Sequence, residues 1–395
     1  MLRIKLGELI GSTSVTIRRK SHNFLEVIMF YTKETIAFLV KTTLFFAALS
    51  LSTQLYAKNK AVFLDRNSIN KVVCIDTNCF FPKKVPTNND IYVNEQIDWN
   101  RDDNLVLLTK GNIIFGKNGK VTSTKNGSII LKAGMMPGEK EVYDSTVRFE
   151  GDIFQVENLG DGIIKIYYNP IKGKNGHKYL NPIVYSNKLP GTKLETYMLV
   201  NDIYDLQGIT SCLYGNYALS QDIDASPTKE WNDGKGFFPI KEWNAENPTP
   251  FSGIFDGNNH VIKYIYINRP LESNVGIFGD VTGVNEYHSV LKNFTIKNAF
   301  IRGRYCVGAA VGQATRVKIF NVYSTGSDID GKEKPGEVFG CIFENTHRAI
   351  SADNNDVYEN GTLKGRNETK LFGVCVRCKK IEDDDKINFG NKDDN

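Results

Sequence analysis

Several features that define other protein classes are scarce in this sequence. Its 395 residues include only five Met and five His. No uninterrupted apolar stretch reaches the roughly 20 residues that a membrane-spanning helix normally needs. The content of 41% hydrophobic and 24% charged residues is close to globular averages. These values exclude a disordered chain, a coiled coil and a polytopic membrane protein, and the length suits one large domain or two ordinary ones.

Charge of one sign is concentrated at the N-terminus. Of the 49 Lys/Arg and 45 Asp/Glu residues, seven and three lie within residues 1–57, which leaves 42 of each in the rest of the chain. The body of the protein is therefore neutral and has no electrostatic footprint for nucleic acid or an anionic membrane. We expect no nucleic-acid partner.

The same N-terminal segment has the pattern of a secretory signal. Its parts are Lys33, Lys41, the apolar run 44–49, the polar stretch 50–54 and Ala57. They match an n-region, an h-region and a cleavage site with Ala before the cut, so we expect export with cleavage after Ala57. A retained membrane helix is the alternative, although Lys41 interrupts the apolar stretch 36–51. The true start is Met1 or Met29, and a start at Met29 gives a signal of ordinary length.

The cysteines and histidines suggest no metal site. The seven cysteines all follow Ala57, and the pair Cys375-Val-Arg-Cys378 resembles half of a zinc ribbon without the other two ligands. For an exported chain we favour a local disulfide or buried thiols, and the odd count leaves at least one thiol free or paired between chains. None of the histidines after Ala57 has a partner at metal-ligand or triad spacing. They are His177, His260, His288 and His347.

Short strands are the main secondary structure that the sequence predicts after residue 58. Apolar segments of four to seven residues alternate with Gly, Asn and Asp, and the chain contains 34 Gly, 23 Phe and 18 Tyr. Stretches 261–267, 291–296 and 317–323 have the composition and length of strands.

A repeat of 32 residues predicts the architecture. Val275-Gly-Ile-Phe-Gly279 returns as Val307-Gly-Ala-Ala-Val-Gly312, and Gly276, Gly308 and Gly340 are spaced 32 and 32 apart. Such periods indicate stacked units, and strand-only units favour a right-handed parallel β-helix, an all-β solenoid. Its corners would need Gly in unusual φ regions, and stacked Asn side chains could hydrogen-bond between layers. An antiparallel sandwich is the rival fold.

A second echo runs from residues 321–326 to residues 356–361, both beginning with an Asn or Asp before Val-Tyr. It adds to the evidence for stacked units.

Ordered motifs give the chain a family resemblance over roughly residues 90–365. The motifs are Tyr197-Met-Leu-Val-Asn-Asp202, Asp205-Leu-Gln-Gly-Ile209, residues 215–225, residues 231–240, Phe251-Ser-Gly-Ile-Phe-Asp-Gly257 and Ile267-Asn-Arg-Pro270, followed by the two glycine-bounded repeats. In this order they resemble the GLUG-repeat region of filamentous haemagglutinin-like exoproteins of Gram-negative bacteria, which use two-partner secretion.

The resemblance implies a secreted or surface-displayed β-helix that acts in adhesion. It divides the chain into a signal segment 1–57, a β-rich region 58–195, a GLUG-type β-helix 196–365 and a polar tail 366–395. The implied partners are a host-cell surface protein or glycan and, for export, an outer-membrane secretion partner, without which the protein would stay in the periplasm. The chain departs from the family in being shorter and in lacking a haemagglutination-domain signature after Ala57.

Carboxylates are the best candidates for catalysis, because β-helices also host polysaccharide lyases and hydrolases. Asp222, Asp224 and Asp256 lie at strand ends and sharp turns, where Asx-turn hydrogen bonds explain them equally well. The spacing of Asp328 and Asp330 matches the start of a calcium-binding loop, but the other ligands of such a loop are missing from the sequence that follows. We therefore predict no catalytic residue, no metal and no cofactor.

One aromatic cluster could form a binding loop. It comprises Trp231, Phe237, Phe238, Trp243 and Phe251. The aromatics either pack on the stack or contact a ligand, since long loops on a rigid scaffold often carry recognition. The sequence thus favours a non-catalytic binding or adhesion module; a carbohydrate-active β-helix enzyme and an inactive remnant of a larger exoprotein remain the alternatives.

Overall fold

Strands make up nearly all the regular structure among the residues that the computed structural model describes. It describes residues 62–81, 89–135, 145–152, 154–170, 179, 182–189, 193–242, 248–284, 289–336 and 338–343, together with the backbone of strands at both ends. The chain divides into two units, residues 1–61 and 62–395.

The first unit contains three antiparallel strands in the order β1-β2-β3. They are β1 Leu2–Lys5, β2 Ser14–Arg19 and β3 Leu25–Phe30. The apolar run 44–49 and Ala57, on which the predicted signal depends, lie outside the described residues. Within the described part of the chain, no helix is long and apolar enough to cross a membrane.

The second unit holds the remaining strands. They are β4 Val62–Leu64, β5 Val73–Ile75, β6 Asn78–Phe81, β7 Ile91–Val93, β8 Gln96–Trp99, β9 Asn104–Thr109, β10 Ile113–Phe115, β11 Lys120–Ser123, β12 Ile129–Ala133, β13 Val147–Phe149, β14 Val156–Asn158, β15 Ile164–Tyr168, β16 Leu194–Val200, β17 Asn216–Leu219, β18 Ile223–Asp224, β19 Ile254–Lys263, β20 Tyr266–Asn268, β21 Ser273–Val275, β22 Phe278–Thr282, β23 Ser289–Lys297, β24 Phe300–Val307, β25 Val311–Thr315, β26 Val317–Thr325, β27 Asp328–Pro335, β28 Phe339–Phe343, β29 His347–Asp353, β30 Asp356–Glu359, β31 Thr362–Arg366 and β32 Val374–Cys375.

The helices among the described residues of this unit are short. The α-helix α1 spans Ile203–Gly208, and 3-10 helices span Ile69–Lys71, Tyr185–Asn187, Ile209–Ser211 and Ser226–Glu230. The Asp202 side chain caps α1 by accepting a 2.7 Å hydrogen bond from the Asp205 amide, which satisfies one of the free N–H groups of the first turn.

The strands form consecutive triplets. Each strand of one triplet pairs in parallel with the corresponding strand of the next triplet. The triplets β7–β8–β9, β10–β11–β12 and β13–β14–β15 contribute one strand each to three sheets. The triplets β23–β24–β25 and β26–β27–β28 repeat this arrangement. One 12-stranded sheet runs from β5 to β29. The predicted all-β class is confirmed, and its sheets are mainly parallel. The domain boundary predicted at 195/196 falls within β16, so both regions share this sheet.

A continuous hydrophobic core fills the space between the sheets. Leu105, Ile129 and Ile164 are aligned in register on β9, β12 and β15 and are fully buried. Along β12 buried and partly exposed residues alternate, as the pleat of a strand dictates. Each such side chain contributes about 1.5–3 kcal/mol through removal from water, so the aligned columns stabilise the stack.

The glycine repeat is confirmed in part by the strand register. Gly276 is in register with Gly308, and Gly279 is in register with Gly312. Gly340, however, is level with Gly312 and not with Gly308. The predicted 32-residue spacing is wrong at this third position, because the stretch between the two layers is shorter there.

Close approach between layers explains these glycines, rather than unusual φ as predicted. A Cβ on Gly276 would lie 2.6 Å from the carbonyl oxygen of Gly308, and one on Gly308 would lie 2.6 Å from the amide nitrogen of Gly340. Neither Gly276 nor Gly308 has a positive φ. Asn and other non-glycine residues adopt the left-handed φ instead, among them Asn258, Asn293 and Asn321.

The second sequence echo does not mark equivalent positions. Residues 321–325 belong to β26, which pairs with β29. Residues 356–359 form β30, which pairs with β27 in a different sheet. The shared Val-Tyr dipeptide reflects strand composition and not register.

Two disulfides link parts of the second unit. Cys74 and Cys79 face each other across the antiparallel hairpin β5–β6, at the first edge of the long sheet. Cys306 on β24 is bonded to Cys341 on β28, one triplet further along the chain. Cys212 is a buried free thiol, while Cys378 and the side chain of Cys375 lie outside the described residues. The sequence predicted a local disulfide or buried thiols, and the described residues contain both, the hairpin disulfide and the thiol of Cys212.

Candidate functional site

The candidate site lies on the segment between β18 and β19. Residues 225–242 and 248–253 lie outside the strand triplets, begin with the 3-10 helix Ser226–Glu230 and contact the neighbouring sheets through isolated bridges. These bridges pair Gly236 with Ile267 and Ile240 with Phe278. The segment is therefore held against the stack while part of it faces solvent, as expected for a loop on a rigid scaffold.

The structure separates the predicted aromatic cluster into buried and accessible rings. Phe237 and Phe251 are fully buried, and Phe238 is only 6% exposed. These three rings pack in the interior. Trp231 is partly exposed, and Trp243 lies outside the described residues. Among the described members of the cluster, Trp231 is thus the ring that can meet a ligand.

Trp231 lines a cavity of about 370 Å³ that opens at the surface. The other lining residues are Gln207 from α1, Thr210 from the following 3-10 helix and Asn232. Tyr204, 47% exposed, packs beside the indole with ring centroids 5.0 Å apart. The ring of Phe237 supports the indole from within, at 6.5 Å between centroids. We call Gln207, Thr210, Trp231 and Asn232 the Trp231 pocket.

Hydrogen bonds fix the walls of the Trp231 pocket. The Gln207 amide donates to the Phe238 carbonyl and accepts from the Phe238 amide, both at 2.9 Å. Asn232, with φ of +54°, donates from Nδ2 to the Gly236 carbonyl at 2.7 Å. Thr210 donates its hydroxyl proton to the Gln207 carbonyl at 2.9 Å. A pocket held in this way loses little conformational entropy when a ligand binds.

Sequence reasoning identified Trp231 but missed Gln207, Thr210 and Tyr204. These residues belong to the motif 205–209 and its neighbours, about 20 to 30 residues before Trp231. Only the packing of α1 against the 225–253 segment brings them together. No local pattern signals that contact.

The three candidate carboxylates are engaged in structural hydrogen bonds. Asp224 accepts from the Ser226 amide and Asp256 from the Asn258 amide, both at 2.9 Å and two residues apart in sequence, as in Asx-turns. Asp222 accepts from Lys263 Nζ at 3.0 Å and from the Val261 amide at 3.0 Å. The Asx-turn interpretation of Asp224 and Asp256 is confirmed.

A second polar cluster lies on the outer face of the long sheet. The buried carboxylate of Asp256 is 3.2 Å from Lys292 Nζ, which lies 5.7 Å from the ring centre of Tyr197. Lys132 Nζ lies 5.1 Å from the ring centre of Tyr167. Burial lowers the pKa of the Lys132 ammonium, while the charge of Asp256 opposes that change. Burial also raises the pKa of both tyrosines.

His260 is the one candidate histidine whose side chain the structure describes. Its Nδ1 lies 3.3 Å from Asp222 Oδ1. Burial lowers the pKa of His260, an effect that the hydrogen bond to Asp222 opposes. His177 and His288 lie outside the described residues, as does the side chain of His347.

The described residues contain no group of three or more His, Cys, Asp or Glu side chains that could hold a metal ion. Arg302 forms ion pairs with Asp328 and Asp330, the two carboxylates that resemble the start of a calcium loop. Its Nη1 and Nη2 lie 3.0 and 2.9 Å from the two oxygens of Asp328, and its Nε lies 3.7 Å from Asp330.

Comparison with known proteins finds one partial similarity. The chain is 35% identical over 159 residues to halomucin from Haloquadratum walsbyi (strain DSM 16790 / HBSQ001), which covers 38% of this chain. The chain spans only about 2% of the length of halomucin. No protein-family model matches the chain, and no solved structure matches it.

Proposed function

We propose that the chain is an exported, non-catalytic binding module, displayed at the cell surface or secreted, with the Trp231 pocket as its contact site. The pocket is the observation that carries this proposal. It combines a partly exposed indole, polar walls and a fixed geometry on a loop supported by parallel sheets. Rigid concave sites of this kind are the usual form of ligand-binding sites.

The scaffold in this proposal is a right-handed parallel β-helix. The triplet pairing of strands, the column of buried aliphatic side chains and the left-handed Asn corners support it. The resemblance to the GLUG-repeat region of haemagglutinin-like exoproteins points to the same scaffold and to adhesion.

Two observations support export. The N-terminal segment has the composition of a signal ending at Ala57, and two disulfides occur in the second unit, which is typical of proteins outside the reducing cytosol. The similarity to halomucin, named as a mucin, supports a place at the cell surface. The proposed partners are a host-cell surface protein or glycan and an outer-membrane secretion partner.

A retention assay tests the binding proposal. The full chain is immobilised, and intact cells, matrix proteins and glycans are passed over it. We expect retention at modest affinity, stronger when the chain is clustered, because linked weak contacts gain effective concentration. A heat-unfolded sample is the control. Absence of retention from the whole panel, with the chain folded, would refute the binding function.

A β-helix carbohydrate enzyme is the second candidate, and the outer-face cluster favours it. Burial lowers the pKa of Lys132 against the opposing charge of Asp256, and a lysine with a lowered pKa can act as a general base. We expect no new reducing ends or unsaturated products from polygalacturonate, other uronans or neutral glycans, with or without calcium. Product formation that Lys132→Met, Asp222→Asn, Asp224→Asn or Asp256→Asn abolishes would establish the enzyme. Failure of both assays would favour an inactive remnant of a larger exoprotein.

A further inference from the structure

We infer that the Trp231 pocket binds an uncharged sugar ring of a glycan chain, an inference that rests on the proposed binding function. Three properties of the pocket indicate the class of its ligand: its walls carry no charge, its surface combines aromatic and polar groups, and its polar groups retain hydrogen-bonding capacity.

The first property is electrical neutrality. None of the four lining residues is titratable. The exposed charged residues nearest to Trp231 in sequence carry no net charge, because Lys229 and Lys235 offset Glu230 and Asp233. An anionic ligand such as a phosphate or a uronate would find no cation on the walls, and an ammonium ligand would find no carboxylate. Charged ligands would therefore be desolvated without compensation.

The second property is mixed polarity. Three of the lining side chains are amides or a hydroxyl, so a purely apolar ligand would leave them unpaired, which is costly in a closed contact. The indole of Trp231 and the neighbouring phenol ring of Tyr204 supply apolar surface. A pyranose ring matches both, because it has C–H faces for aromatic contact and a rim of hydroxyl groups. The volume of about 370 Å³ is of the order of known small-molecule sites.

The third property is that hydrogen-bonding capacity remains after the internal bonds are made. Thr210 donates its hydroxyl proton and Asn232 one of its two amide protons internally, which leaves the hydroxyl oxygen and the side-chain carbonyl as acceptors for sugar hydroxyls. The indole Nε1 of Trp231 makes no hydrogen bond within the described residues and remains a donor. Two acceptors and a donor beside an aromatic surface are suited to a polyhydroxylated ring.

Fluorine NMR of the full chain labelled with 5-fluorotryptophan tests this inference. The chain has three Trp residues, and Trp→Phe variants assign the three resonances. The probes are gluco-, manno-, galacto- and N-acetylglucosamine oligosaccharides, with tetragalacturonate, a sulfated oligosaccharide and a neutral Ser/Asn peptide for comparison. We expect one neutral sugar series to move the Trp231 resonance in a saturable way, while that of buried Trp99 stays in place.

Variants make the test specific. Calorimetry should show affinity for the active sugar reduced at least tenfold in Trp231→Ala and severalfold in Thr210→Val. Tyr323→Ala, which removes another exposed aromatic ring outside the pocket, should bind as the unchanged chain does. Far-ultraviolet circular dichroism verifies that each variant is folded.

The failure of this inference differs from the failure of the binding function. If the acidic sugars or the peptide move the Trp231 resonance and no neutral sugar does, or if folded Trp231→Ala binds the sugar normally, the inference is overturned. If the chain still retains cells in that case, the binding function stands with another contact site. If it retains nothing and binds no probe, both are overturned.

Discussion

Asn321 donates a side-chain hydrogen bond to the side-chain carbonyl of Asn293 on the adjacent strand, with 3.0 Å between the two atoms. Asn293 in turn donates to Asp256 at 3.1 Å. Both asparagines have positive φ, +53° and +59°. One side chain therefore serves two purposes at this corner: Asn tolerates the left-handed backbone, and its amide links successive layers.

Replacement of Asn293 should destabilise the second unit in two separable ways. Asn293→Ala loses both hydrogen bonds and keeps the left-handed φ, so its free energy of unfolding should fall by about 2–4 kcal/mol. Asn293→Gly loses the hydrogen bonds without the backbone strain. Its free energy of unfolding should be about 1 kcal/mol higher than that of the Ala variant. Urea unfolding measures the difference. Asn268→Ala, which loses no side-chain hydrogen bond among the described residues, is the control, and equal stability of the Ala and Gly variants would contradict the assignment.

Gly308 should be intolerant of any side chain because of space and not because of φ. A Cβ there meets the backbone of residues 339 and 340 at 2.6 Å, so Gly308→Ala should cost about 3 kcal/mol and Gly308→Val more. Gly234 has φ of +76° and no atom within 4 Å of a Cβ, so Gly234→Ala should cost only about 1 kcal/mol of backbone strain. Melting temperatures report both. An unchanged melting curve for Gly308→Val would show that the layers do not approach as described.

The disulfide between layers should contribute more stability than the one in the hairpin. Cys306 and Cys341 are 35 residues apart and Cys74 and Cys79 only 5. By loop-closure entropy the first is worth about 4 kcal/mol and the second about 2 kcal/mol. Paired Cys→Ala variants, compared by urea unfolding under non-reducing conditions, measure each contribution. The reverse order would show that the long bridge does not form in solution.

The stability of the folded chain should decline as pH falls below neutrality because of His260. Burial lowers the pKa of His260 below its usual value of about 6.5, so the unfolded chain binds this proton more tightly. The contribution of His260 is therefore complete above about pH 6.5 and is lost as pH falls through the lowered pKa. His260→Gln should flatten the stability profile between pH 7 and pH 5. An NMR titration that gives His260 a pKa above 6.5 would contradict this prediction.

The strands could be predicted from the sequence because their signal is local. The stretches predicted at 291–296 and 317–323 lie within β23 and β26. Composition in β-branched and aromatic residues and alternation of burial decide such segments residue by residue. The layer register could not be predicted beyond Gly308, since the connections between strands vary in length and shift the spacing of Gly340.

Which rings of the aromatic cluster are buried could also not be predicted from the sequence. Trp231 and Phe237 are six residues apart and chemically alike, yet one lines a surface pocket and the other is fully buried. Between them Gly236 forms a bridge with Ile267, and the chain is buried from Gly236 to Ile240. The ion pair of Asp256 with Lys292 likewise depends on parallel pairing of β19 with β23.

The role of the Trp231 pocket as contact site is measured most directly by comparing the full chain with its folded Trp231→Ala variant in the retention assay. We expect the chain to retain cells, matrix proteins or glycans and the variant to bind them more weakly by roughly 2–4 kcal/mol, the range of a binding hot spot. Adding Trp243→Ala shows whether the second indole contributes. Equal retention by the chain and by Trp231→Ala would contradict the claim that this pocket is the contact site.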